Sequence, residues 1–355
     1  MKVLQLIDSL ETGGAERVAV NIANGLLNKV DKSFLCTTRA EGLLKLSLNK
    51  EVGYLFLDKK KTIDIKAIIK LYRFVKQNKI TIIHAHSTSF FLATIIKILN
   101  INLKLVWHDH YGESEYLAKR PKKVLKSCSY FFSHAFSVNS KLENWIKDNL
   151  NVKDVSYLPN FAVKNKTNTI TKLKGNIGKR IVCLANFRKQ KDHLNLLKAF
   201  KSVLKTELDW TLHLVGKHFN DDCSKAIFTF IETNQLAKSV FVYGSCSDTS
   251  LILEQCDIGV LASKSEGLPL ALLEYGLVSL PVIATNVGDC NRVISNVNEG
   301  ILVKSEDHKA FASALLKYIK DKKLRVALGR NFYLKISTSF TEKSTLESII
   351  KIYKR

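Results

Sequence analysis

Two carboxylates, Glu266 and Glu274, stand with seven residues between them in ASKSEGLPLALLEYGLVSLPVIATNVGD, residues 262–289. The apolar run Asp257–Ala262 predicts a strand, and the polar segment after it a loop. Pro269 predicts a helix start, because its missing N–H is one that a first turn leaves unpaired anyway. Glu266 then sits in the loop at the helix mouth and Glu274 roughly one and a half turns later. Along Gly267, Leu268, Pro269 and Leu270, the backbone N–H groups not yet tied into the helix are free to bind phosphate oxygens. The bland readings are a first-turn acid favoured by the helix dipole for Glu266 and an exposed helical carboxylate for Glu274.

Three further clusters carry chemistry. Gly13 and Gly14 follow a predicted strand and open a helix near Ala15, where glycines let backbone amides approach a phosphate or a sugar; a tight turn needing positive φ is the plain alternative. In LANFRKQKDH, residues 184–193, Arg188 and Lys191 project from a strand's carboxyl end, where a guanidinium and an ammonium neutralise a diphosphate unless they form only a solvated basic loop. His84 and His86 follow one predicted strand, and His108 and His110 another. These pairs are placed on separate loops, so no metal site is expected even though four imidazoles and Asp109 form a conceivable ligand set. No Ser-His-Asp or catalytic Cys arrangement is identifiable.

Short apolar runs alternating with helical periods must position these groups, and that pattern predicts an α/β fold with parallel sheets covered by helices. Strands are expected at 3–7, 33–37, 80–84, 104–107, 135–138 and 155–158, then at 180–185, 211–215, 240–243, 257–262 and 281–284. A helix from Asp64, its N-cap, to Gln77 would bury Ile65, Ile68, Ile69, Tyr72 and Val75 and leave Lys66, Lys70, Arg73 and Lys76 outward. The pattern lapses over 163–179, a Lys-, Asn-, Thr- and Gly-bearing stretch suited to a surface linker. Boundaries follow at 1–162, 163–179, 180–335 and a C-terminal helix over 336–355 that returns to the first domain. Two doubly wound halves are expected to bind ligand in a crevice between them.

With 355 residues, two domains are the natural count. A net charge of +23 points to anionic partners: nucleic acid, phosphorylated small molecules or an acidic lipid surface. No acidic residue lies between Asp64 and Asp109, and Lys119, Arg120, Lys122, Lys123 and Lys126 form a second basic cluster. Seven cysteines without a C-x-x-C pair read as reduced, cytoplasmic thiols. The start MKVLQLIDSL has no signal-peptide pattern, and Lys97 interrupts the best membrane-span candidate, 90–103. Any membrane contact is therefore peripheral.

The paired glutamates in their S-x-x-E-G-L-P setting, the GGAER turn, Pro159-Asn160, Lys191-Asp192 and the stretch Pro281 to Gly288 together resemble the family-four retaining glycosyltransferases of GT-B fold. The resemblance implies two Rossmann-like domains flanking an interdomain cleft, a nucleotide-sugar donor, a glycan or lipid-linked acceptor and no cofactor. It also implies that Glu266 contacts the donor sugar, that Glu274 holds the ribose, and that a histidine after the Lys104 strand, His110 by spacing rather than His108, lies beside the sugar. Donor binding is expected at Gly13, Gly14, Asn186, Arg188, Lys191, Gly244, Gly267, Leu268, Pro269 and Glu274.

The chain departs from the family pattern in three places. Asn186 stands where many relatives have arginine, so the guanidinium role passes to Arg188 or is lost; Ser279-Leu280-Pro281 replaces G-x-P, and Tyr275 a common alanine. The resemblance thus implies a metal-independent enzyme of lipopolysaccharide or capsule synthesis, cytoplasmic and peripheral on the anionic inner membrane face. A GT-B nucleotide-sugar epimerase shares the fold but needs acid/base partners on both ring faces. A nucleic-acid-binding protein explains the charge but not the glutamates, so no nucleic-acid partner is expected.

Overall fold

The structure is a computed structural model and describes residues 1–164 and 171–355, so the predicted linker lies partly outside the described residues. Within them the chain divides into two compact units, Met1–Phe161 with Glu342–Arg355, and Ala162–Thr341.

The first unit is a parallel sheet with β1 (Lys2–Ser9), β2 (Lys32–Ala40), β3 (Gly53–Phe56), β4 (Ile82–His86), β5 (Lys104–Asp109), β6 (His134–Ser137) and β7 (Val155–Tyr157). Its helices are α1 (Gly14–Gly25), α2 (Ile65–Gln77), α3 (Phe90–Leu99), α4 (Lys123–Cys128) and α5 (Ser140–Asn149). The strand order β3-β2-β1-β4-β5-β6-β7 reverses between β1 and β4. Strands β1 and β4 are buried, and with them the polar side chains of Gln5, His84 and His86 that interrupt their apolar residues. Alternation sends Leu4, Leu6, Ile83, Ala85, Leu105 and Trp107 into a core with α2 and α3.

The second unit is also parallel, with β8 (Arg180–Leu184), β9 (Thr211–Val215), β10 (Val240–Gly244), β11 (Ile258–Leu261), β12 (Val282–Thr285) and β13 (Ile301–Val303) in the order β10-β9-β8-β11-β12-β13. Helices α6 (His193–Val203), α7 (Asp222–Thr233), α8 (Thr249–Glu254), α9 (Leu270–Leu277), α10 (Cys290–Val293), α11 (His308–Lys320) and α12 (Lys322–Ser339) surround it. Its core gathers Phe187, Leu196, Phe200, Phe311 and Tyr318, and the order reverses between β8 and β11. In such sheets ligands sit outside the strand carboxyl ends at that reversal.

The last helix, α13 (Glu342–Lys354), belongs to the first unit. The Lys104 ammonium donates to the Ile352 and Tyr353 carbonyls at 2.7 and 3.4 Å, a cation at a helix C-terminus where the dipole favours one.

Two expectations for the first unit are corrected. On α2, Asp64 does cap the helix by accepting from the Ala67 amide, but the buried stripe is Ala67, Leu71 and Val75. Ile65 and Ile69 are exposed beside Lys66, Lys70 and Arg73. Arg120 is no part of a surface patch: its guanidinium makes a two-pronged bond to Asp109 at 2.6 and 2.8 Å, between the rings of Tyr111 and Trp145. The aromatic faces and the carboxylate together replace the water that a surface cation would keep.

Candidate active site

In the second unit, the loops that follow β8 and β11 flank the reversal and carry the residues singled out above. The Lys191 ammonium lies 2.6 and 2.7 Å from the two oxygens of Glu266, and the Ser263 hydroxyl donates to Glu266 at 2.6 Å. Glu266 is 4% exposed, so protein groups, this cation and hydroxyl among them, surround its carboxylate in place of bulk water. The loop is braced from behind by Gly288, in the left-handed region at φ 53°. A Cβ there would come within 2.2 Å of the Glu266 carbonyl oxygen, and the Asp289 amide donates to the Gly267 carbonyl. The Lys264 amide donates to the Gln190 carbonyl at 2.7 Å, tying the two loops together.

Gly267, Leu268 and Pro269 are buried, with Pro269 in extended conformation just before Leu270, one position ahead of the expected first turn. Glu274 follows on α9 and is only 8% exposed, which removes the reading of a solvated helical carboxylate. Its neighbour Tyr275 explains one departure. The fully buried hydroxyl accepts from the Leu184 amide at 2.7 Å and donates to the Val260 carbonyl at 3.1 Å, fastening the ends of β8 and β11. Room for the ring comes from Gly259, where a Cβ would lie 2.7 Å from it. Ser279 adopts φ 60°, a conformation that glycine takes without strain, so a G-x-P pattern suits this turn better than Ser-Leu-Pro.

Asn186 braces two loops, because its side-chain oxygen accepts from the Lys217 amide at 2.8 Å and so joins the segments after β8 and β9. Arg188 is exposed, with its guanidinium stacked 3.8 Å from the Phe219 ring centre, so aromatic contact holds it in place. Gly244 ends β10 at φ 65°, and a Cβ there would meet open space.

In the first unit, Gly13 is extended and neither glycine has positive φ, so turn strain does not explain the pair. At Gly13 a Cβ would lie 2.1 Å from the Glu16 carboxylate, so a side chain there would push that flexible carboxylate aside; at Gly14 a Cβ would meet nothing. Glu16 accepts from Ser9 at 3.3 Å, and burial raises its pKa. Sequence reasoning misses this residue, which has only the signal of an ordinary first-turn acid.

The histidines correct a further expectation. His84, His86 and His108 lie within β4 and β5, not on separate loops, with His86 opposite His108. Period-2 alternation puts them on one sheet face, fully buried, with a potential ligand nitrogen from each within 4.8 Å of the others. The rings of His84 and His86 stack at 11° and 4.6 Å, so their in-plane lone pairs run side by side rather than towards one point. His110 follows β5, is only partly buried, and bonds through Nε2 to His86 Nδ1 at 3.0 Å. Burial drives His84 and His110 down to about 3, and His86 and His108 well below their usual value, so all four are neutral.

All seven cysteines are free thiols. Among the described residues no helix is long and apolar enough to cross a membrane.

Two Rossmann-like parallel-sheet domains of these strand orders define the GT-B architecture. Residues 167–335 match the family model described as Glycosyl transferases group 1, residues 12–162 match Glycosyltransferase Family 4, and the chain belongs to the group 1 glycosyltransferases. It is 26% identical over 311 residues, 82% of this chain and 79% of the relative, to the UDP-Gal:alpha-D-GlcNAc-diphosphoundecaprenol alpha-1,3-galactosyltransferase of Escherichia coli. It is 24% identical to the amylovoran biosynthesis glycosyltransferase AmsD of Erwinia amylovora, covering 91% of this chain and 92% of that one. The crystal structure of Anabaena HepE in complex with UDP-glucose superposes with a TM-score of 0.82 at 16% identity, over 100% of this chain and 99% of that one.

Proposed function

We propose that this glycosyltransferase is retaining and metal-independent, and that it moves a sugar from a UDP-sugar onto a saccharide carried on a lipid diphosphate during surface polysaccharide assembly. The observation that carries the reading is the Ser263–Glu266–Lys191 cluster beside the start of α9, at the strand-order reversal of the second unit. In this reading Lys191, Arg188 and the amides from Gly267 to Leu270 offset the charge growing on the departing diphosphate. Glu266 and His110 orient the sugar, Glu274 accepts from the ribose hydroxyls, and Gly13, Gly14, Asn186 and Gly244 give backbone or loop support to the donor. The bond from the anomeric carbon to the diphosphate breaks as the acceptor oxygen bonds on the same face. The acceptor's proton passes to the leaving diphosphate oxygen, so no protein nucleophile is required. The activity for which the Escherichia coli relative is named and the UDP-glucose bound to HepE support the donor and acceptor classes.

In the same reading the enzyme works on the anionic inner membrane face. A groove beside α2 combines Lys66, Lys70 and Arg73 with Leu55, Ile69 and Phe74, and Ile63 and Ile65 are exposed nearby. Cations beside exposed apolar side chains suit an acidic lipid surface. Incubation with a panel of UDP- and GDP-sugars and a synthetic polyprenyl-diphosphate saccharide tests the function. Transfer from a UDP-sugar is expected. Transfer from GDP-sugars alone overturns the donor class, and an epimerised donor with no transfer favours the epimerase reading.

A further inference from the structure

The buried face of the first sheet holds a closed run of hydrogen bonds that ends on His110. The Tyr353 hydroxyl lies 2.6 Å from His84 Nδ1, and Gln5 Nε2 donates to the same hydroxyl at 3.3 Å. Gln5 Oε1 lies 2.9 Å from His86 Nε2, and His86 Nδ1 lies 3.0 Å from His110 Nε2. Gln5, His84 and His86 are fully buried, and Tyr353 nearly so.

With the Gln5 amide oxygen towards His86, each link fixes the proton on the next. Burial keeps the Tyr353 phenol protonated, so it donates to His84 Nδ1 while its oxygen accepts from Gln5. An amide oxygen only accepts, so His86 carries its single proton on Nε2. The neutral His86 ring then offers a bare Nδ1, which accepts from His110 Nε2–H. His110 is neutral as well, so its own Nδ1 has no proton, and it makes no hydrogen bond to another described residue.

We propose that Tyr353 and Gln5 are positioning residues that act through His86 to hold His110 as the Nε2–H tautomer, presenting Nδ1 as a hydrogen-bond acceptor for a sugar hydroxyl. The hydroxyl recognised is thus a donor towards the protein, and His110 gives nothing to a phosphate. The C-terminal helix α13 supplies the far end of the run, anchored by Lys104 on its last carbonyls. The tautomer rests on these hydrogen bonds, on neutral rings and on the Gln5 amide with its oxygen towards His86; only the identity of the ligand hydroxyl rests on the glycosyltransferase reading.

The test is a long-range proton–nitrogen correlation spectrum of the full chain labelled with 15N-histidine, with His110→Gln assigning the His110 signals. Expected is a His110 ring protonated on Nε2 with a pyridine-type Nδ1 at neutral pH. A proton on Nδ1, which the run gives when the Gln5 amide is turned and every bond reverses, overturns the proposal. Tyr353→Phe keeps the ring and its packing, and is expected to give a mixture of His110 tautomers and a fall of about tenfold in kcat/KM, on the order of one hydrogen bond. A single unchanged tautomer in the folded Tyr353→Phe chain contradicts control by the relay. The expected tautomer in a chain that transfers no sugar leaves the proposal standing and removes the functional reading instead.

Discussion

Lys191 and Glu266 face each other as a two-pronged ion pair at 2.6 and 2.7 Å, so each of these two charges is held in place by the other. In the proposed function, a donor diphosphate that drew the ammonium away would have to replace its hold on the carboxylate, and a sugar hydroxyl donating to Glu266 would do so. Binding of the two halves of a nucleotide sugar would thereby be coupled.

Lys191→Ala is expected to lower both activity and stability. Sequence considerations alone predict a thermal midpoint that barely moves, since an ammonium facing a ligand buries little. The pair reverses that expectation, because removal of one partner strands a buried carboxylate at a cost of roughly 1 to 3 kcal/mol, below a fully buried pair since Lys191 is partly exposed. Denaturant unfolding of the single variants and of Lys191→Ala/Glu266→Ala checks this. The double variant should lose less than the sum, and full additivity would mean the pair is not coupled.

Glu274→Ala should weaken binding of bare UDP by at least tenfold, because each charged hydrogen bond to a ribose hydroxyl contributes about 1.5 to 3 kcal/mol. Titration calorimetry with the nucleotide alone reads this directly. Unchanged affinity takes Glu274 out of the site and leaves it as a buried helical acid.

Stability should fall as pH drops below about 6.5, the ordinary histidine value. Burial depresses His84 and His110 to about 3 and His134, His193 and His213 to about 4, and holds His86 and His108 well below their usual value. Between those values and 6.5 the unfolded chain binds protons that the native one does not, so the unfolding free energy declines with acidity. The slope is at most about 1.4 kcal/mol per pH unit for each such ring. Glu16 and Asp192, whose pKa values burial raises, oppose this in part. Unfolding midpoints at pH 8, 6 and 5 should decrease in that order, and a flat series contradicts the neutral histidine cluster.

Much of this architecture is legible in residue order. Strand-length apolar runs separated by helical periods announce both parallel sheets, and the glutamate pair marks the β11–α9 junction where the candidate site lies. Strands β3 and β13 escape, their four and three residues at a sheet edge carrying little pattern, although the equally short edge strand β7 is legible at 155–158. The H-x-H pairs mislead because polar residues resemble loop, whereas alternation puts His84 and His86 on a face closed by α13. That Tyr353 meets His84 is a contact across 269 positions that no local signal encodes. The helical period assigns Ile65 and Ile69 to the core, but Ala67, Leu71 and Val75 form the stripe that packs.

Sedimentation with liposomes tests the membrane surface. Wild type should bind anionic vesicles and release with salt, and a variant with Lys66, Lys70, Arg73 and Lys76 changed to glutamine should bind far less, since each cation near an acidic leaflet contributes about 1 kcal/mol. Equal binding by both proteins, or binding insensitive to salt, removes this anchor.

The central claim, sugar transfer with retention from a UDP-sugar, is tested most directly by the anomeric configuration of the product. With the UDP-sugar that supports transfer in the donor panel, 13C-labelled at the anomeric carbon, and a polyprenyl-diphosphate saccharide as acceptor, the one-bond carbon–proton coupling of the new linkage reads the configuration. An α-linked product from an α-configured donor is predicted. A β-linked product would contradict the account, because inversion requires a base to activate the acceptor on the opposite face.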